Sequence, residues 1–130
     1  MKPFETTIVV TEHDLDDLNH VNNVRYVQWV NDIAKQNWEQ IAPPTIKEEY
    51  FWVMLSNHID YKQAAYLNDT ILIKTYVSKS EGVKSTRIVE IYNKDSSKLL
   101  AKSETNWCLI SKKTQKPTRI TSEINNLFLM

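Results

Sequence analysis

VRYVQWVNDIAKQNWEQI, residues 24–41, is the stretch on which the fold turns. Val27, Val30, Ala34, Trp38 and Ile41 recur at intervals of three and four and draw one apolar stripe along an amphipathic helix. Asn22 or Asn23 supplies its N-cap, a side chain that accepts from a first-turn N–H the helix itself leaves unbonded. Pro43 and Pro44 stop the helix: the first lacks a donor, and the second pushes its predecessor out of helical geometry.

On both sides of this helix the pattern changes to strand. Residues 4–10 are rich in threonine and β-branched side chains, which suit a pleated, half-buried surface. Beyond the prolines, everything up to Pro117 is expected to be antiparallel sheet, with strands at 51–61, 70–78, 83–92 and 99–111. Residues 70–78 alternate Ile71, Ile73, Thr75 and Val77 against Leu72, Lys74 and Tyr76. Gly82 marks one turn, and the Asn, Asp and Ser residues of 93–98 mark another. After Pro117, the positions of Ile120, Ile124, Leu127 and Phe128 suggest a short terminal helix. The order of one strand, a long helix and four strands is an α+β arrangement: a long central helix against a curved antiparallel sheet of about five strands. Without repeats or a low-complexity linker, residues 1–130 are expected to form one domain. A sheet covered by a single helix leaves edge strands and apolar surface to protect, so a homodimer or homotetramer is expected.

Composition narrows the function. Sixteen basic residues balance sixteen acidic ones, which gives no electrostatic reason to expect nucleic acid or an anionic membrane as partner. Cys108 is the only cysteine and cannot make an internal disulfide, and residues 1–10 lack the apolar core of a secretory signal, so a cytoplasmic location is expected. No segment approaches the run of about 20 apolar residues that crosses a bilayer. With Gly82 as the only glycine, a P-loop, a dinucleotide fingerprint and a serine nucleophile elbow are all excluded.

Chemistry-bearing residues concentrate between the first strand and the helix: His13, Asp14, Asp16, Asp17, Asn19, His20, Asn22 and Asn23. Acidic residues ahead of a helix are also favoured there by its partial positive charge, so each has a purely structural alternative. Asp14-Leu15-Asp16 begins like a calcium loop, but Leu18, Asn19 and Arg25 occupy positions that need an acid or amide, a glycine and a glutamate. His13, His20 and His58 have no close helical spacing and no cysteine pair, which argues against zinc. No metal and no cofactor are expected.

The run from Asp14 to Tyr26, DLDDLNHVNNVRY, resembles the D-x-D-x-x-x-H-V-N-N-x-x-Y signature of hotdog-fold acyl thioesterases, both the 4-hydroxybenzoyl-CoA thioesterase-like enzymes and the plant acyl-ACP thioesterases. Residues 59–69, IDYKQAAYLND, resemble the bacterial pattern around Y-x-x-P-A-x-x-x-D, with alanine in place of the proline. The resemblance implies a hotdog fold and acyl thioester hydrolysis, with Asp16 as the catalytic carboxylate and Asp14 in a structural role. It also marks departures: Leu18, Ala64 and Ala65 stand where the plant enzymes carry an asparagine, an acid and a cysteine. The simpler mechanism, centred on one carboxylate, follows.

Such a carboxylate either activates water as a general base or attacks directly to form a mixed anhydride. Unpaired N–H groups at the helix start, near Asn22, Asn23 and Val24, would stabilise the developing oxyanion. His20 is assigned to orienting the loop or to direct catalysis, and Tyr26 to lining the pocket or to packing. Acyl-CoA is the expected substrate, with acyl carrier protein as the other carrier. Lys79, Lys84 and Arg87 are expected to be solvated surface charges, with contact to the nucleotide phosphates as the alternative, and Cys108 a buried, inert thiol. The alternatives are a non-catalytic acyl-binding or regulatory hotdog module and a hotdog acyl dehydratase.

Overall fold

Residues 3–129 are described in the computed structural model. In chain order they form β1 (Phe4–Val9), a 3-10 turn (Glu12–Asp14), α1 (Asn23–Ile41), α2 (Pro44–Glu49), β2 (Tyr50–Tyr61), β3 (Thr70–Glu81), β4 (Lys84–Asn93), β5 (Leu99–Ser111) and α3 (Ser122–Leu127). The strands make one antiparallel sheet in the order β1-β3-β4-β5-β2, with α1 lying across it. This is the expected α+β hotdog architecture.

The alternation expected for β3 is what places its inner face: Ile71, Ile73, Thr75 and Val77 are buried, while Leu72, Lys74 and Tyr76 are only half-buried. Register shifts at Val77/Lys79, Met54/Ser56 and Ile91/Tyr92 put an extra residue on one strand, and such bulges add local twist and bend a sheet. The sheet can therefore curve around the helix. Gly82 joins β3 to β4 at φ +63°, a left-handed conformation that side chains with a Cβ resist.

Two details of the helical region differ from expectation. The buried face of α1 runs through Tyr26, Val30, Ile33 and Asn37, flanked by Trp29 and Ala34, and Val27 is 42 % exposed. The expected stripe and the covered face share Val30 and Ala34, and Val27 falls outside that face. The prolines also do more than end α1. Pro43 is the N-cap and Pro44 the first residue of α2, a position where a missing N–H costs nothing and a fixed φ is preorganised. A short helix thus stands where sheet was expected to begin.

The interior divides along α1. Its N-terminal half packs Tyr26, Trp29, Val30 and Ile33 on Ile71, Ile73, Val89, Ile91 and Leu100. Its C-terminal end gathers Ala42, Ile46, Val77, Leu109, Ile124 and Phe128, with Trp38 and Trp52 packed against them. Ile124 is fully enclosed, and burying such a side chain is worth about 1.5–3 kcal/mol, so α3 is a fixed part of this end. Cys108 is buried and unpaired. Among the described residues no helix is long and apolar enough to cross a membrane.

Candidate active site

The loop between β1 and α1 is tied to itself through Asp16. Leu15 and Val21 form an isolated antiparallel bridge, the Asp16 N–H donates to the His20 carbonyl at 2.8 Å, and the Asn19 N–H donates to the Asp16 carbonyl at 3.1 Å. Asn19 takes φ +62°, a conformation asparagine tolerates better than most residues. The Asp16 side chain completes the closure, its Oδ1 accepting from the N–H groups of Leu18 at 2.9 Å and His20 at 3.1 Å. Its Oδ2 has no donor among the described residues. One oxygen holds the loop and the other is open to a ligand.

Asp14 is fully occupied by structure. Oδ2 accepts from the Thr11 N–H at 2.8 Å and the Thr11 hydroxyl at 3.2 Å, and Oδ1 pairs with Arg25 Nε at 2.9 Å. This fastens the loop to the first turn of α1 and matches the structural role expected of it.

Asp16, His20, Asn23 and Tyr26 line one cavity of about 280 Å³. Asn22 and Val24 do not. Asn22 is the N-cap: its Oδ1 accepts from the Val24 N–H at 2.9 Å, and its own N–H donates to the Asp14 carbonyl at 2.8 Å. Of the three backbone donors expected at the helix start, two are therefore engaged within the chain. The Asn23 N–H alone has no acceptor among the described residues, and Asn23 lines the cavity as the first helical residue rather than as the cap. A free N–H at a helix N-terminus, aided by the helix dipole, suits an oxygen that becomes anionic.

The opposite wall comes from the end of β2 and the turn after it, Tyr61 to Ala64, of which only Ala64 was singled out from sequence, as a missing acid. Their signal was the second motif-like segment, 59–69, whose backbone clamps the loop: the Val21 N–H donates to the Ala65 carbonyl at 2.9 Å. Ala64 sits in this wall, so no carboxylate stands there opposite Asp16. The Tyr61 hydroxyl reaches the Asn23 carbonyl at 3.5 Å, and its ring meets Tyr26 edge-on at 5.4 Å.

Tyr26 is 2 % exposed, and its hydroxyl makes no hydrogen bond: the Ala65 backbone faces it and favours the phenolate, but outside bonding geometry. Burial, reinforced by Tyr61, pushes the phenol up to about 12. It is a neutral group at physiological pH. The His20 ring packs edge-on against Tyr66 at 5.2 Å, and neither ring nitrogen has a hydrogen-bond partner among the described residues. The backbone of His20 closes the loop, which leaves the imidazole free for a ligand or water. Among the described residues no group of three or more His, Cys, Asp or Glu is placed to hold a metal.

The family model of the thioesterase-like superfamily matches residues 10–128, a span that includes both walls of this cavity. Among solved structures, the chain is similar to a probable thioesterase from Escherichia coli, at 22 % identity and TM-score 0.82, covering 95 % of this chain and 94 % of that one. It is also similar to a 1,4-dihydroxy-2-naphthoyl-CoA thioesterase from Synechocystis, at 16 % identity and TM-score 0.84 over 98 % and 96 % of the two chains. A third is a Staphylococcus aureus protein solved in complex with CoA, at 18 % identity and TM-score 0.86 over 98 % and 82 %. No curated protein matches the chain. With nearly its whole length covered by the family model, the chain belongs to the thioesterase-like superfamily and is a thioester hydrolase of the hotdog fold.

Proposed function

We propose that the chain hydrolyses acyl-CoA thioesters, fatty or aromatic, with Asp16 as general base or nucleophile and the Asn23 N–H as oxyanion donor. The observation that carries this reading is the pairing of an uncommitted carboxylate oxygen and an uncommitted helix N-terminal amide on one cavity. Attack by water or by Asp16 itself places negative charge on the thioester oxygen, and a fixed donor there lowers the barrier without reorganisation. His20, free of internal bonds, orients the attacking water or meets the thioester sulfur. Coenzyme A is favoured over acyl carrier protein because Ala64 and Ala65 replace the polar wall of the carrier-protein enzymes, and because one similar structure holds CoA.

A homo-oligomer fits the open edge of the sheet. β2 is 12 residues long, pairs among the described residues only with β5, and exposes Val53, Leu55 and Tyr61. Antiparallel pairing of two β2 strands would protect both edges at once in a two-fold dimer. A buried, unpaired thiol suits a reducing cytoplasm.

Turnover measured over acyl-CoA esters from acetyl to palmitoyl, with an aryl-CoA and an acyl-ACP alongside, tests the reading. Release of free CoA from at least one acyl-CoA, faster than from acyl-ACP, is expected. Binding without hydrolysis across the whole panel would overturn it in favour of a non-catalytic acyl-binding module.

A further inference from the structure

A second cavity is larger than the one at Asp16. About 550 Å³ in volume, it opens beside the C-terminal half of α1, among Trp38, Trp52, Trp107 and Phe128, and shares no residue with the Asp16 cavity. This volume lies inside the range of roughly 300–1,000 Å³ usual for small-molecule sites. Along α1 the residues that line it, Asn31 to Glu39, follow Asn23 and Tyr26 of the other cavity, so the two cavities draw on different stretches of the helix.

Arg87 forms part of its wall. Expected to be a solvated charge like Lys79 and Lys84, it is instead 5 % exposed, on an inward position of β4. No carboxylate pairs with it among the described residues. Nη1 donates to Asn37 Oδ1 and to Thr75 Oγ1, both at 3.0 Å, and the Phe128 ring centre lies 5.6 Å from its Cζ. Both acceptors are neutral. Of five guanidinium N–H groups two are engaged, and the nitrogens that carry the others, Nε and Nη2, are not sealed in protein. Burial without a counter-ion lowers its pKa to about 10, which still leaves a cation at neutral pH. The rest of the lining repeats the sign: Lys35, Lys47 and Lys112 stand against the single carboxylate of Glu39.

We propose that this cavity binds an organic acid with an apolar or aromatic body, its carboxylate forking onto the free edge of Arg87 and its body lying against the packed cluster of Trp38, Trp52 and Phe128. A planar guanidinium with two adjacent free nitrogens matches a carboxylate in two parallel, charge-assisted hydrogen bonds, which an alcohol or ester of the same body does not supply. Aromatic walls supply the remaining affinity. The inference stands on the cavity and Arg87 alone and does not need Asp16 to be catalytic.

Calorimetric titration with dodecanoate and 2-naphthoate, beside dodecan-1-ol and methyl 2-naphthoate, tests it. Wild-type protein should bind at least one acid ten or more times more tightly than its neutral counterpart. Arg87→Met should abolish that difference, Arg87→Lys should keep part of it, and Asp16→Asn should leave it intact. Lys35→Glu, an exposed change at the mouth, should weaken acid binding several-fold and leave the neutral ligands unaffected, which keeps the test decisive if Arg87→Met does not fold. Equal binding of acid and neutral ligand by the wild type, or no acid binding at millimolar concentration, overturns the proposal. So does an acid preference that survives in folded Arg87→Met or disappears in Asp16→Asn.

Discussion

The two ends of α1 hold charge in opposite ways. At the N-terminal end the Asp16 carboxylate is cradled by backbone N–H groups, so the side chain helps to build the loop around it. At the C-terminal end the Arg87 guanidinium is buried against neutral oxygens and an aromatic ring, so its ionised form is a burden on the fold. A charge that organises its own surroundings and one that destabilises them are both compatible with function, but they predict different mutational behaviour. Removing the first should damage structure and chemistry together unless an isostere is used. Removing the second should leave the fold intact or improve it.

The largest effect is expected where the backbone donor is deleted without disturbing the helix. Asn23 is the first residue of α1, where proline is well tolerated, and Asn22 before it already has the extended conformation proline requires (φ −64°, ψ 136°). Asn23→Pro should lower kcat/KM by about 100-fold or more while the melting temperature holds or rises, with Asn23→Ala far milder. Equal losses in the two variants would move the oxyanion site away from this amide.

At the other end, the fall of the Arg87 pKa from 12.5 to about 10 corresponds to roughly 3 kcal/mol of penalty on the charged form at neutral pH, offset in part by its two hydrogen bonds. Arg87→Met should therefore be neutral or stabilising by about 1 kcal/mol in urea unfolding, as replacement of buried ions by apolar groups often is. A loss of about 3 kcal/mol would show that the guanidinium holds this end together.

Tyr26 allows a finer comparison, because its hydroxyl is buried near the first cavity without a partner. Leaving such a group unsatisfied costs about 1–3 kcal/mol, so Tyr26→Phe should gain about 1 kcal/mol, or some 3–5 °C in melting temperature. Its folded pKa is raised, so between pH 10 and about 12 the unfolded chain has lost a proton that the native one keeps. Its contribution to stability is thus present below pH 10 and declines above it. Arg87, whose folded pKa is depressed, acts in the opposite sense over the same interval. Stability titrations should therefore decline less above pH 10 for Tyr26→Phe than for wild type.

The smallest expected effect belongs to Gly82. An added Cβ would meet nothing within 4 Å, so Gly82→Ala carries only the strain of its positive φ, about 1 kcal/mol. The Gly82 carbonyl accepts from the Ile120 N–H at 2.8 Å, so any loosening should reach the segment that leads to α3 and Phe128. Hydrogen exchange should quicken there and not in the Asp16 loop.

The same contrast governs what was legible in the sequence. Asp16, His20, Asn23 and Tyr26 lie within 11 consecutive residues, so the loop and helix start that bring them together are local, and their spacing carried the signal. The strands were legible because each alternates or is bounded by turn residues, and β3 differs from expectation only by three residues at its end. The choice between Asn22 and Asn23 as cap was not legible, since either amide can accept from a first-turn N–H. Nor was α2, whose prolines end one helix and begin the next. The aromatic cavity could not be seen at all: it draws Trp38 from α1, Trp52 from β2, Arg87 from β4, Trp107 from β5 and Phe128 from beyond α3. No spacing within one segment encodes such an assembly, and Arg87 in isolation looks like any surface arginine.

Asp16→Asn, assayed on the best acyl-CoA substrate with thermal unfolding in parallel, shows whether one carboxylate carries the chemistry. Asparagine keeps an Oδ1 that can accept from Leu18 and His20, so the loop should persist and the melting temperature should stay within about 2 °C, since a surviving cap-like acceptor changes stability little. A fall in kcat of about 100-fold or more is expected in that folded protein. Wild-type turnover by folded Asp16→Asn would contradict it.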